Sequence, residues 1–264
     1  MVSYLFLPIA TLWQREIKRF VRQRSRIFGA LGQPLLLWLL LGAGFKPSFR
    51  PAGMPAHVDY IEYFFPGTLL LILLFSSIFS NISVIEDRRE GFLQAVLVAP
   101  VPPAVLVFGK VLGGATLALL QAVVFLLLAP AIGIHFSINS FFATLAVLAM
   151  LALALTSLGF ALAWRMDSTQ GFHVVMNVFL IPMWLLSGAF FPAAGTPAPL
   201  KWLIAINPLT YGMSALRHGL YSAHNSVNVN PSPAAFDFDV TLVFVLVMLG
   251  LALYSRHKNA DLFG

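Results

Sequence analysis

The sequence predicts an all-α integral membrane protein with six transmembrane helices in a single domain, residues 1–264. Of its 264 residues, 59% are hydrophobic and only 10% are charged, whereas a soluble domain carries about 25% charged residues. Six apolar segments approach or exceed the length of about 20 residues that a membrane-spanning helix needs. Basic residues flank these segments, so the net charge of +6 does not indicate a nucleic-acid partner.

An amphipathic helix is predicted before the first span, over residues 9–28. Apolar side chains recur there at helical spacing, and arginine, lysine and glutamine occupy the other face. Such a helix lies in the interface of the inner leaflet, with its basic residues near lipid phosphates. It either anchors the topology alone, or it also flanks a docking site and moves with it.

The six spans are predicted from apolar runs between polar connections. The third is long enough to tilt or to include a turn, and the sixth is short. Residues 197–222 are only moderately apolar and are predicted as two short re-entrant helices that enter the outer leaflet part-way. The predicted spans cover residues 27–45, 61–85, 104–134, 141–164, 172–191 and 240–256.

The distribution of basic residues orients the spans. An even number of spans places both termini on one side of the membrane. Most of the 16 lysines and arginines lie on that side, and cytoplasmic loops carry the excess of such residues. Both termini are therefore predicted to be cytoplasmic. The opposite side carries only Lys46, Arg50, Lys201 and Arg217.

Residues 86–103 form the only dense cluster of charges of both signs between two apolar spans. The charges precede a short apolar run, which three prolines bring to an end. A helix of this kind suits docking to a cytosolic partner, with Phe92 and Leu93 as apolar anchors and the acidic residues as a charged rim. The candidate docking residues are Glu86, Asp87, Arg88, Arg89, Glu90, Gly91, Phe92, Leu93, Val96, Leu97 and Pro100.

The sequence carries no motif for chemistry of its own. It has no cysteine, so disulfides and thiolate metal sites are excluded. It contains no GxxxxGK[ST] loop, no HExxH and no GxSxG, and its six histidines are scattered. We therefore predict no catalytic, metal-binding or cofactor-binding residue in this chain.

Two alternative functions are an ion-coupled secondary carrier and a membrane-embedded lipid-modifying enzyme. The carrier would show acidic groups within its spans and inverted repeats, and neither is visible. The enzyme would need a cluster of His, Asp or Glu near one interface, and none is found. Glu62 and Lys110 lie near span ends, where long side chains can reach the interface.

An apolar pathway fits a bulky amphipathic or lipid-like cargo that is driven by external work. We expect bulky aromatic side chains near the outer end of the fifth span to gate it, because Pro182 and Ser187-Gly188 loosen the helix there. The candidates that line or gate the pathway are Phe65, Phe75, Trp184, Phe190 and Phe191.

Four groups of residues with glycine or proline follow one another along the chain. In chain order they are FPG at 65–67, REGFLQ at 89–94 with VAPV at 98–101 and Gly109-Lys110, LSGAFFP at 186–192, and Asn207-Pro208 with Tyr211 and Arg217. In this order and spacing they resemble the motifs of ABC-2 type permeases, the membrane subunits of ABC exporters for drugs, polysaccharides and lipo-oligosaccharides. The compact drug- and nodulation-factor-exporter branch is the most similar. Phe92 stands where that family commonly has threonine, and Gln94 where it has glutamate.

The resemblance implies that residues 86–103 are the coupling helix, which docks on a separately encoded ATPase. It implies two copies of that ATPase, with ATP and Mg²⁺ bound there and not on this chain. It also implies a homodimer, or a dimer with a sister permease, in a bacterial cytoplasmic membrane. The cargo is not identified by these motifs.

Overall fold

The computed structural model describes residues 2–45, 59–97, 100–191, 196–221 and 232–257. Every regular element in these ranges is helical, and six helices are long and apolar enough to cross a membrane. The predicted fold class and number of spans are therefore confirmed. In chain order the α-helices are α1 (Val2–Arg22), α2 (Arg24–Phe45), α3 (Tyr60–Arg89), α4 (Phe92–Leu97), α5 (Ala104–Leu126), α6 (Ile138–Ala163), α7 (Thr169–Trp184), α8 (Ala198–Ile206), α9 (Pro208–Leu220) and α10 (Ala234–His257).

Helix α3 lies at the centre of the bundle. It is apolar on all sides along most of its length, which is typical of a helix that is buried all round. It packs against α2, α5, α6 and α7, and nearly all of its residues are buried. The other five spans bury smaller shares of their surfaces. Their outward faces carry apolar side chains such as Phe28, Leu40 and Leu246, which suit contact with lipid.

Helix α1 differs from the prediction in its bounds and in its surroundings. It begins at Val2 and ends at Arg22, so residues 24–28 belong to the first span. The interruption at Gln23 was not visible in the sequence because basic residues continue on both sides of it. Leu12, Glu16 and Phe20 are buried, and α1 packs mainly against α5.

The predicted coupling helix over 86–103 is wrong in its extent. Residues 86–89 are the last turn of α3, which ends at Arg89. Gly91 then adopts a left-handed conformation with φ of 77°, and this change of backbone direction ends the helix. Glycine suits the position because residues with a Cβ rarely adopt such a φ. Only Phe92–Leu97 forms a separate helix. Residues 98 and 99 lie outside the described ranges.

The half of the bundle away from α4, which is the outer half in the predicted topology, contains two further helix breaks. Helix α7 ends at Trp184 and continues as a wider turn over Leu185–Ala189, where Gly188 has φ of 80°. Helices α8 and α9 form the predicted pair of short helices, and the side chain of Asn207 caps α9 by accepting a hydrogen bond from the Leu209 amide.

The remaining span boundaries differ from the predictions by a few residues, except for two. The third span ends its regular α-helix at Leu126 and closes with a short 3₁₀ helix, Ala129–Ile132. The last span begins at Ala234, earlier than the predicted residue 240, because the helix includes Asp237, which is buried.

Candidate functional site

Helix α4 lies between the ends of two spans and exposes only part of its surface. Gln94 and Ala95 are exposed, as is Glu90 in the preceding turn. Pro100, after the helix, is exposed as well. These residues make up the α4 surface, a term used below for Glu90, Gln94, Ala95 and Pro100.

The two predicted apolar anchors do not lie on this surface. Leu93 is only 2% exposed and belongs to the hydrophobic core. Phe92 is half-buried, and the guanidinium carbon of Arg15 lies 3.7 Å from the centroid of its ring. Val96 also packs against the core, whereas the side chain of Leu97 is outside the described part of the chain. The short helix turns its apolar residues inward because only one side of it faces away from the bundle.

The predicted acidic rim is likewise reduced to one residue. Asp87 is fully buried, and Glu86 pairs with Arg19 and Arg26, with 2.8 Å between Arg19 Nη2 and Glu86 Oε2. Glu90 stays exposed, 3.6 Å from Arg19. Sequence spacing alone did not distinguish these three carboxylates, because their partners come from α1, α2 and α5.

Arg88 and Arg89 join the end of α3 to the connection between α6 and α7 by hydrogen bonds. Arg88 donates hydrogen bonds to the carbonyl oxygens of Trp164 and Met166. The Arg89 guanidinium donates to the carbonyl oxygen of Asp167, with a nitrogen–oxygen distance of 2.7 Å. Both arginines therefore use their donors within the chain.

Asp87 is the centre of a buried ion cluster that the sequence did not predict. Its carboxylate accepts two hydrogen bonds from Arg15, at 2.7 and 2.8 Å. It also accepts bonds from Arg19 and from the ammonium group of Lys110. The hydrogen bond to Asp87 raises the pKa of Arg15, which keeps the guanidinium charged.

Lys110 connects this carboxylate to a second one. Its Nζ donates to Glu16 Oε1 at 2.7 Å and to Ser83 Oγ at 3.1 Å. The expectation that Lys110 reaches the interface is therefore wrong, since its side chain is 2% exposed. Glu16 is the only acidic residue of α1, and this was the one sequence signal for the pairing. We use "the ion cluster" below for Arg15, Glu16, Arg19, Ser83, Asp87 and Lys110.

Two glycines allow α1 to approach α5 closely beside this cluster. A Cβ placed on Gly109 would lie 2.6 Å from the Cβ of Leu12. One placed on Gly113 would lie 2.7 Å from the Cβ of Glu16. Small residues four positions apart are a common means of close helix packing in membranes. The absence of side chains here lets Glu16 reach Lys110.

At the outer end, the break after α7 is held by side chains from α3 and α9. The carbonyl oxygen of Gly188 accepts from Tyr63 Oη at 2.9 Å and from Arg217 Nη2 at 2.8 Å. The indole of Trp184 donates to the carbonyl oxygen of Gly67 at 2.8 Å. Arg217 is buried, and its guanidinium carbon lies 4.5 Å from the Tyr63 ring centroid.

Residues of the predicted re-entrant segment form hydrogen bonds near the break after α7. Asn207 Nδ2 donates to the carbonyl oxygen of Met183 at 2.6 Å. Tyr211 Oη donates to the carbonyl oxygen of Ala205, in α8, at 2.8 Å. Pro208 is the first residue of α9, where its fixed φ suits a helix start.

The candidate pathway residues fall into two groups. Trp184, Phe190 and Phe191 share an aromatic cluster at the outer end, with Phe190 6.4 Å from each of the other two by ring centroids. Phe65 stacks on Phe125 at 4.7 Å, and Phe75 stacks on Phe79. Phe65 and Phe75 thus stack on aromatic rings outside the group of Trp184, Phe190 and Phe191.

The comparisons with known proteins agree with this architecture. Residues 8–221 match the family model described as ABC-2 type transporter. A transport permease named ycf38 from Cyanophora paradoxa is 28% identical over 228 residues, covering 85% of this chain and 77% of its own. The inner membrane transport permease YadH of Escherichia coli (strain K12) is 24% identical, covering 83% of this chain and 85% of its own.

A third similar protein is named for nodulation. Nodulation protein J of Rhizobium meliloti (strain 1021) is 27% identical over 209 residues, which cover 78% of each chain. The family model extends from within α1 to the end of α9, so it includes five of the six spans and the α4 surface. The protein is therefore a transport permease of the ABC-2 type transporter family, the membrane component of an ABC transporter.

Proposed function

We propose that this chain is the membrane subunit of an ATP-driven exporter and that the α4 surface docks on a separate ATPase subunit. The observation that carries the proposal is a short helix between two spans that is attached at its start to two other parts of the bundle. Arg15 of α1 covers Phe92, and Arg89 binds the connection after α6. A partner that moves α4 would therefore move the bundle with it.

The partner supplies the chemistry in this proposal. ATP and Mg²⁺ bind to two copies of the ATPase, and this chain contributes no catalytic residue. Two permease copies, most simply a homodimer, provide the two docking surfaces. The protein resides in a cytoplasmic membrane with both termini on the cytoplasmic side. The basic residues of α1 and of the α3 end support this orientation.

The proposed cargo is amphipathic or lipid-like, such as a drug, a lipid or a lipid-linked glycan, and it moves outward. Within the described spans, the charged residues lie toward the ends of the helices. The ion cluster joins the inner ends of α3 and α5 to α1, whereas a carrier places its coupling-ion site near the middle of the bilayer. This position favours an exporter over the ion-coupled alternative.

The docking proposal is tested by adding bulk to the α4 surface. Ala95→Trp places a large side chain on an exposed position without removing any buried contact. If this position lies in the interface, we expect at least about a tenfold loss of affinity for the ATPase, corresponding to about 1.4 kcal/mol. The measurement is co-purification with the separate ATPase subunit, followed by ATP turnover in lipid vesicles.

The matched control is Ala143→Trp, since Ala143 is an exposed alanine of α6 on the opposite side of the predicted topology. This variant should retain association. Equal association of both variants with the ATPase would contradict docking through α4. Leu93→Ala is unsuitable here, because it opens a cavity in the core.

A further inference from the structure

The ion cluster is unusual for its position and its burial. Glu16, Asp87 and Lys110 come from three helices, and each is 5% exposed or less. Removing a charge from water costs on the order of several kcal/mol of hydration free energy. This cost is offset only when the charge keeps its partners. Separating α1 from α3 or α5 would leave charges buried without partners. The cluster therefore resists sliding between these helices.

Packing fixes two of these helices, α1 and α5, in one register. Leu12 lies against Gly109 and Glu16 lies against Gly113, so each turn of α1 meets a gap in α5. One turn along, Trp13 Nε1 donates a hydrogen bond to Thr116 Oγ1 at 3.1 Å. A shift of α1 along α5 would drive these side chains into the α5 backbone, because interiors are close-packed.

The ion cluster also contacts α4 directly. Arg15, which binds Asp87 with both terminal nitrogens, lies over the ring of Phe92 at the start of α4. Asp87 itself lies one turn before Gly91, where α3 ends. A displacement of α4 is thus passed to a carboxylate that α1 and α5 hold at the same time.

From these contacts we propose that Asp87 and Lys110 are positioning residues that lock α1, the inner end of α3 and the start of α5 into one rigid body. When α4 is displaced, the three helices move together, and α1 does not slide on α5. This inference rests on the proposed function, in which an ATPase displaces α4. It assigns to α1 a role in transmitting motion, in addition to anchoring the topology.

Cross-linking tests the rigid body directly, because the chain has no cysteine. Trp13→Cys/Thr116→Cys places thiols on α1 and α5 at positions that are partly accessible. The pair is joined by a short bis-methanethiosulfonate in the complex with its ATPase in phospholipid vesicles. We expect the same cross-linking yield without nucleotide and after trapping with ATP and vanadate. We also expect the cross-linked complex to retain its ATP turnover.

Removing the lysine tests its positioning role. Lys110→Met in the same double-cysteine background should lower the yield and make it differ between the two nucleotide states, because α1 is released from α5. A lysine that only stabilises the fold would lower the amount of complex without making the yield depend on nucleotide. Lys201→Met, which removes an exposed lysine of α8, should leave the yield unchanged.

Two results would overturn the inference. One is a nucleotide-dependent yield with the ion cluster intact, and the other is a cross-link that abolishes ATP turnover while the ATPase stays bound. Both are measured with Lys110 present, so the test holds even if Lys110→Met does not fold. Association with the ATPase is measured in the same samples. Failure of the unmodified chain to bind it would contradict the docking proposal instead.

Discussion

At the scale of single residues, Arg217 shows how a charge can serve the fold at the outer end of the bundle. Its guanidinium donates to the carbonyl oxygen of Gly188 and lies over the ring of Tyr63. The carbonyl groups at the end of a helix carry partial negative charge and have no partners within the helix. Arg217 supplies a cationic donor to one such group, after the break in α7. This gives the arginine of the Asn207-to-Arg217 segment a structural role.

Replacing this arginine should destabilise the outer end. Arg217→Met is expected to lower the free energy of unfolding by about 1.5–3 kcal/mol, because hydrogen bonds to charged groups contribute this much and the Gly188 carbonyl would keep only Tyr63. Denaturant unfolding of the purified protein in lipid bicelles provides the measurement. Lys201→Met removes an exposed charge on the same side and should change stability little. Equal destabilisation by both substitutions would argue against the proposed role of Arg217.

At the scale of helices, the close packing of α1 on α5 depends on the absence of a side chain at Gly109. Gly109 faces Leu12 so closely that an added methyl group would lie 2.6 Å from the Leu12 Cβ. Helix α1 is amphipathic enough to bind a membrane surface by itself. Its contact with α5 therefore decides whether it belongs to the bundle or to the lipid interface.

Adding the methyl group should weaken the packing between α1 and α5. Gly109→Ala is expected to cost about 1–3 kcal/mol of stability, the range found for overpacked interiors, and to increase hydrogen exchange in α1. Unfolding in bicelles and hydrogen–deuterium exchange detected by mass spectrometry provide the two measurements. The control is Gly250→Ala, because no atom lies within 4 Å of a Cβ built on Gly250. Unaltered exchange in α1 would show that the glycine is dispensable.

At the scale of the whole molecule, the charges divide the bundle into two different ends. The inner end carries the ion cluster and the α4 surface, whereas the outer end carries Arg217 and the aromatic cluster around Phe190. The positive-inside rule predicts that the first end faces the cytoplasm. This orientation is a prerequisite for docking an ATPase on α4.

Labelling in intact cells checks the orientation. Single cysteines at the exposed positions Ala95 and Lys201 are treated with a membrane-impermeant maleimide in this cysteine-free chain. We expect Lys201→Cys to react in intact cells and Ala95→Cys to react only after permeabilisation. The reverse pattern would invert the topology and remove the α4 surface from the cytoplasm.

The sequence alone determined the class of fold, the number of spans and the family. Apolar runs of about 20 residues have the length of a membrane-spanning helix. A helix satisfies every backbone polar group within itself, which the bilayer requires. The family motifs rest on local order and spacing, which a sequence displays directly. The pair of short outer helices was also predictable, because Asn207-Pro208 separates two apolar runs and starts a helix.

Only the tertiary structure decided which residues of the docking segment face outward. Leu93 and Asp87 match the pattern of an anchor and a rim residue, but Leu93 is buried in the hydrophobic core. Asp87 is buried as well, and its partners lie in α1 and α5. The partners of Lys110 also come from other helices, with Glu16 in α1 and Asp87 in α3. Periodicity reports which face of one helix is apolar, and not which helix will cover it. The ion cluster and the true extent of the α4 surface therefore followed from packing between helices.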